Sequence, residues 1–215
     1  NVCNFARKKN VKKIIYTSSM AIYGEGDWLS EENEPSPLSN YGVSKYCGEM
    51  YIKQFSQYGI DYTIFRLFNT YGPGQDLSNK RQGIVNVFLS QLIKGNTINV
   101  TGSLERYRDL TYIDDVVDAL ILAIDKQQEM SRKEINVCSK VKITVKEIID
   151  MLIRASGKRM EDVDVVNVGK HDGDQFGNTG DNTFLKSLGW KPKVKLEEGI
   201  KHFYDYALEK VCVYE

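Results

Sequence analysis

Histidine and cysteine are scarce, with two of the first and four of the second in 215 residues. Cys3, Cys47, Cys138 and Cys212 are scattered without a CxxC, and neither His171 nor His202 has a companion at ligand spacing. That excludes a structural zinc site and fits the cysteine usage of a reduced, cytoplasmic protein. No apolar run approaches the ~20 residues of a membrane span, and the first residues read as the inside of a helix rather than a signal peptide. Acidic and basic residues balance at 29 each, so no overall field draws nucleic acid or acidic lipid. The basic cluster Arg7, Lys8, Lys9, Lys12 and Lys13 reads as a solvated helix end, because a nucleic-acid patch would interleave aromatics. Glycine is present but never as GxGxxG or GxxGxxG. Gly24-Glu-Gly26 and Gly72-Pro-Gly74 each offer a pair in the wrong structural context, so no pyrophosphate-binding turn lies in these residues.

What is present is a sequence able to bury a core, 41% hydrophobic and 27% charged. Residues 1–9 carry Val2, Phe5 and Ala6 on one helical face, with Asn10 as a plausible cap. A strand follows over 13–18, then a polar loop over 24–39. A helix over 41–57 is capped by Ser39 or Asn40 and ended by Gly59, and a buried strand begins at Asp61. Strand, helix and strand at these lengths imply a right-handed parallel crossover. Beyond Gly74 the pattern turns mixed. Helices are expected near 83–94, 114–126, 144–155, 182–187 and 196–209, and strands near 97–101, 135–137 and 163–168. The expected boundary therefore falls near residue 70, giving a sheet-based part over 1–70 and an α+β part over 71–215.

Tyr41-Gly-Val-Ser-Lys45 is a YxxxK, which puts both side chains on one helix face. A nearby ammonium favours the phenolate form of a tyrosine, the form that accepts a proton. The spacing alone is weak evidence, since thirteen tyrosines provide a decoy at Tyr206 and Lys210 in the last amphipathic helix. Context separates the two. Tyr41 opens its helix after a Pro- and Ser-containing loop, and Thr17-Ser18-Ser19 ends a strand upstream, where Ser19 can orient a reacting hydroxyl.

Seven stretches in one order extend this pattern. They are Tyr16-Thr-Ser-Ser19-Met-Ala-Ile-Tyr23-Gly24; the YxxxK with Glu49; Arg66-Leu-Phe68-Asn69-Thr-Tyr-Gly-Pro-Gly74; Thr101-Gly102; Arg108-Asp109-Leu-Thr-Tyr-Ile-Asp114-Asp115-Val116; Gly173-Asp174; and Leu188-Gly-Trp190-Lys-Pro192. Together they resemble the extended short-chain dehydrogenase/reductase family, in particular its nucleotide-sugar 4-epimerases of the UDP-glucose type. The resemblance implies an α/β fold: an incomplete Rossmann-like, doubly wound parallel sheet with a smaller α+β substrate-binding domain. It implies NAD as cofactor and a UDP-sugar as substrate, a setting of carbohydrate metabolism and polysaccharide biosynthesis. By that pattern Ser19, Tyr41 and Lys45 are catalytic, and Tyr41, Lys45 and Phe68 face the cofactor. Ser19, Asn69, Asn99, Thr101, Arg108 and Asp174 face the substrate, Arg108 as a diphosphate clamp whose fork suits two phosphate oxygens.

Departures from the family pattern narrow the chemistry. The related dehydratases place Asp and Glu directly after the catalytic residue, whereas Met20 and Ala21 stand here. Elimination then lacks its acid–base pair, and C4 epimerisation or an NAD(P)-dependent 4-keto-sugar reduction remains. His171 stands where many relatives have Arg. Asp114 and Asp115 are expected to cap a helix beginning at Val116 rather than to bind metal. The resemblance also places a Gly-rich turn and the first strands, roughly 90 residues, ahead of residue 1. The expectation is thus a chain with its catalytic residues and most of the sugar-nucleotide site but an open sheet edge. A non-catalytic nucleotide-sugar-binding remnant is the alternative. Relatives pair as homodimers through the helices matching 1–9 and 41–57, where Cys47, Met50 and Tyr51 offer a face.

Overall fold

A computed structural model describes residues 1–79, 82–169 and 175–213. Helix α1 (Val2–Lys8) is capped by Lys9 rather than Asn10, which follows with a left-handed φ of 53° and leads into strand β1 (Lys13–Ser19). The loop expected over 24–39 contains a strand, β2 (Gly26–Leu29). Helix α2 (Asn40–Phe55) follows, capped by Ser39, whose Oγ accepts from the Gly42 N–H at 3.1 Å. Strand β3 (Asp61–Leu67) then pairs in parallel with β1, from Lys13 opposite Asp61 to Ser19 opposite Leu67. The parallel pairing expected of the strand, helix and strand is therefore borne out.

Strand β3 alternates as a strand buried on both faces must. Tyr62 and Ile64 pack with Ile52 of α2, while Phe65 faces the opposite side. There it meets helix α4 (Ile113–Asp125) through Val116, Ala119 and Ala123, and helix α6 (Thr183–Ser187) through Leu185. The third strand, β8 (Lys133–Val137), comes from far along the chain and pairs with β3 in parallel. The sheet thus has the order β1-β3-β8, with helices on both faces. The α/β class holds, and the chain after residue 70 returns to complete this layer. Among the described residues β1 pairs along one edge only.

The rest forms a mixed layer. Strands β4 (Thr70–Tyr71) and β7 (Thr111–Tyr112) pair in parallel, as do β5 (Thr97–Val100) and β10 (Asp164–Asn167). Strands β6 (Tyr107–Asp109) and β9 (Lys142–Thr144) pair antiparallel, and β11 (Asn178–Gly180) pairs with β2. Helices α3 (Ile84–Lys94), α5 (Val145–Ser156) and α7 (Leu196–Val213) share one core, in which Leu89, Leu152 and Phe203 are fully buried. Each such side chain contributes about 1.5–3 kcal/mol. Thr144 and Glu147 form a capping box at α5.

One expectation is corrected. Helix α4 starts at Ile113, so Asp114 and Asp115 lie inside its first turn and neither caps it. Asp115 instead accepts the Lys193 N–H at 2.8 Å, tying α4 to the segment before α7. No helix among the described residues is long and apolar enough to cross a membrane.

Candidate active site

Strand β1 and helix α2 meet where the strand ends, and close packing sets their distance. A methyl group on Gly42 would overlap the Ala21 carbonyl oxygen, and one on Gly48 would overlap the Tyr16 hydroxyl. The ends of β1 and β3 and the start of α2 then frame an open cavity of about 670 Å³. Ser18, Ser19, Met20, Tyr41, Lys45 and Asn69 line it. Four of the residues singled out from the sequence are thereby brought together: Ser19, Tyr41, Lys45 and Asn69.

Each is held differently. Tyr41 is 51% exposed on the first turn of α2. Lys45 lies one turn further, its ammonium 5.7 Å from the Tyr41 ring centre and 5.3 Å from that of Tyr16. Its Nζ donates to the Thr17 carbonyl at 2.9 Å, which pins the helix to β1. Partial burial draws the Lys45 ammonium below its ordinary pKa. Ser19 Oγ accepts from the Ala21 N–H at 3.2 Å and so fixes the turn that follows the strand. Asn69 donates to the Asp109 carbonyl at 3.1 Å.

The remaining sequence-predicted residues lie elsewhere. Phe68 is fully buried among Ile22, Tyr23, Leu29 and Cys138, behind the cavity rather than on its wall. Asn99 lines a separate cavity of about 490 Å³ beside the end of α3, its N–H given to Gln91 Oε1 at 2.7 Å. The Thr101 carbonyl accepts from Arg106. Arg108 donates to the carbonyls of Tyr107, Gln175 and Phe176. Asp174 and His171 lie outside the described residues.

Two features of the site escaped the sequence reading. Gln75, just beyond the Tyr71–Gly74 turn, lines the cavity and has a buried Oε1 without a hydrogen-bond partner among the described residues. Its place after a Gly-Pro-Gly turn was the available signal. The second is Asp109, read only as a neighbour of Arg108. Its buried carboxylate accepts from Ser139 N–H and Oγ at 2.9 and 2.7 Å, Lys140 N–H at 3.1 Å and Gly180 N–H at 3.2 Å.

Burial pushes the Asp109 pKa up to about 6, against the four donors that favour its charged form. A carboxyl whose folded pKa lies above its unfolded value holds more protons when folded. Stability from this group therefore falls as pH rises from about 4 to about 6, and the cost is complete above that. Asp109→Asn should remove this slope, on the order of 3 kcal/mol across the window. Urea unfolding of both proteins at intervals between pH 4 and 7 checks it; parallel curves would refute the assignment.

Comparison with known proteins places this geometry. The sequence profile of the NAD dependent epimerase/dehydratase family matches residues 1–138. A UDP-glucose 4-epimerase of Mycolicibacterium smegmatis is 31% identical over 95% of this chain and 65% of its own length. A dTDP-4-dehydro-6-deoxyglucose reductase of Escherichia coli is 31% identical over 93% of this chain and 63% of its own length. The crystal structure of a Thermotoga maritima UDP-glucose 4-epimerase with UDP-glucose superposes with a TM-score of 0.89 at 34% identity, covering 98% of this chain and 68% of that one. The chain thus spans about two thirds of the length of these relatives.

Proposed function

Because the chain belongs to the NAD dependent epimerase/dehydratase family, we propose that it serves epimerisation at C4 of a UDP-sugar through a transient 4-keto intermediate. The observation that carries this reading is the convergence of Ser19, Tyr41, Lys45 and Asn69 on one cavity. The residues present fit the nicotinamide-ribose end of the cofactor. Lys45 has three ammonium donors and gives one to Thr17, which leaves donors for ribose hydroxyls beside the Tyr41 phenol. NAD, when bound, supplies reversible acceptance of the C4 hydride.

The protein's own groups do the rest. Tyr41 takes the proton from the C4 hydroxyl and returns it, with Ser19 orienting that oxygen and the Lys45 ammonium standing beside the Tyr41 ring. The orphan acceptor of Gln75 suits a sugar hydroxyl. Met20 on the wall and Ala21 behind it offer no acid or base, which disfavours elimination of water. The same residues also suit a 4-keto-sugar reductase, a reading favoured by the 31% identity to the E. coli enzyme. The test is interconversion of UDP-glucose and UDP-galactose by the protein with NAD. Turnover without net cofactor change supports the epimerase; stoichiometric oxidation of NAD(P)H on a 4-keto sugar nucleotide, in a second assay, supports the reductase; no reaction in either assay would defeat both.

We further propose a homodimer through α1 and α2. Val2 is 74% exposed, and Phe5, Val43, Met50 and Tyr51 of the same two helices also reach solvent, apolar side chains that a second copy would cover. Sedimentation should show a dimer that Phe5→Glu with Tyr51→Glu converts to monomer; a monomeric parent protein would refute it.

A further inference from the structure

A line of polar groups crosses the buried sheet at one register. Ser18 of β1 stands opposite Arg66 of β3, and Arg66 opposite Asn136 of β8. All three are buried, Asn136 completely. From above, α2 places Glu49 onto this line, itself 0% exposed. Its Oε1 accepts from Ser18 Oγ at 2.5 Å and from Arg66 Nε at 3.2 Å, and its Oε2 accepts from Arg66 Nη2 at 2.9 Å. The free side of the guanidinium donates from Nη1 to the Tyr23 hydroxyl at 2.8 Å, which in turn donates to Asn136 Oδ1 at 2.9 Å. Burial alone would lower the Arg66 pKa, but the hydrogen bonds to Glu49 and Tyr23 and the charge of Glu49 outweigh it and hold the cation.

Apolar side chains of similar volume would hold a helix on a sheet as well as such a pair does. What a two-pronged pair adds is direction: it accepts one rotation and one translation of the helix and rejects neighbouring ones. The placement of this pair gives that direction a use. Tyr41, Lys45 and Glu49 recur every four residues and so share one face of α2. Glu49 is bonded to Ser18, the residue before Ser19, and Lys45 to Thr17, the residue before that. Tyr23, at the far end of the network, closes the turn that Ser19 caps.

We propose that Glu49 and Arg66 are positioning residues that set α2 on the end of β1 and thereby fix Tyr41 and Lys45 relative to Ser19. This rests on the epimerase reading of the cavity for its consequence in turnover, though not for its geometric content. The pair touches no reacting group. Its effect reaches the chemistry through the rotation of one helix, where a displacement of about 1 Å can cost a hundredfold in rate.

Two variants test it in the intact protein. Arg66→Lys keeps the charge and loses the fork; Glu49→Leu with Arg66→Met keeps the packing and loses both charges. Melting and calorimetric UDP binding establish that each variant is folded with its substrate site intact. Competitive acylation, read by mass spectrometry, then reports how firmly Lys45 is held on Thr17, with Lys53 of the same helix as the internal reference. In both variants Lys45 labelling should rise about tenfold relative to Lys53. The value of kcat should fall about a hundredfold with KM nearly unchanged, the pattern of lost alignment rather than lost binding. A folded double variant with parental Lys45 labelling would overturn the proposal, as would one with parental kcat. If the parent protein neither binds UDP nor turns over UDP-hexoses, the epimerase reading fails, and the labelling still decides whether the pair positions α2.

Discussion

Tyr41→Phe should lower turnover of a UDP-hexose by about a thousandfold or more while leaving UDP binding within about twofold. The change removes one oxygen from a side chain already half exposed at the cavity mouth, so it leaves no void and strands no buried group. Among the described residues no hydrogen bond relies on that hydroxyl: Ser39 caps the helix, and the packing against Ala21 is made by Gly42. The lost atom is the proposed proton acceptor, and a positioned base is worth roughly 10²–10⁴ in rate. Among the described residues beside it, none is equipped to replace it. Ser19 Oγ is engaged with the Ala21 N–H, Lys45 with the Thr17 carbonyl, and Met20 has no ionisable group. Steady-state kinetics with NAD present, alongside calorimetry with UDP, measures both quantities. Parental kcat in the variant would remove Tyr41 from its role. Equal loss of binding and turnover would place it in substrate recognition instead.

The residues legible in the sequence are those whose relation is local. Tyr41 and Lys45 share a helical turn, so spacing puts them on one face, whereas Ser19, at the end of a strand marked by its β-branched run, joined them through context and the family resemblance. The β1–α2–β3 crossover was legible for the same reason. The four-residue strands β5 and β10 fell where strands were expected, but β2 and the two- and three-residue strands β4, β6, β7, β9 and β11 were not legible, because so short a strand shows little period. Strand β2 carries Asp27 and an exposed Trp28 at φ 57°, and it is held by pairing with β11, some 150 residues away, and by the Trp28 N–H to Thr179 Oγ1. Asp115 misled for a related reason: an acidic pair before an apolar run reads as a cap, but its partners are backbone N–H groups of Lys193 and Val194. Nor could spacing decide which family positions share a wall. Asn69 follows β3 directly into the cavity, whereas Asn99 follows α3 to a cavity of its own. Gln75 and Leu110 reach the wall of the first cavity from separate loops that only the fold brings together.

Glu49→Leu alone should be the most destabilising of these changes, by about 3–5 kcal/mol, because it leaves the Arg66 cation buried without its counter-charge. The environment offers little relief. Arg66 is 3% exposed, the Tyr23 hydroxyl is a neutral acceptor, and Ser18 Oγ would lose its own acceptor in the same step. The leucine methyl groups cannot solvate a guanidinium. Adding Arg66→Met should return most of the loss, since replacing both charges by apolar volume removes the desolvation cost along with the attraction. The double variant should thus fall within about 1–2 kcal/mol of the parent, a coupling far beyond the few tenths expected of independent sites. Urea unfolding of the four proteins at one pH closes the cycle. Additive losses would mean that the two side chains act separately, and the 2.9 Å contact between them would then carry no structural weight. Strong coupling with low turnover in the stable double variant would instead separate the two tasks of the pair: stability, which apolar packing can replace, and the setting of α2, which it cannot.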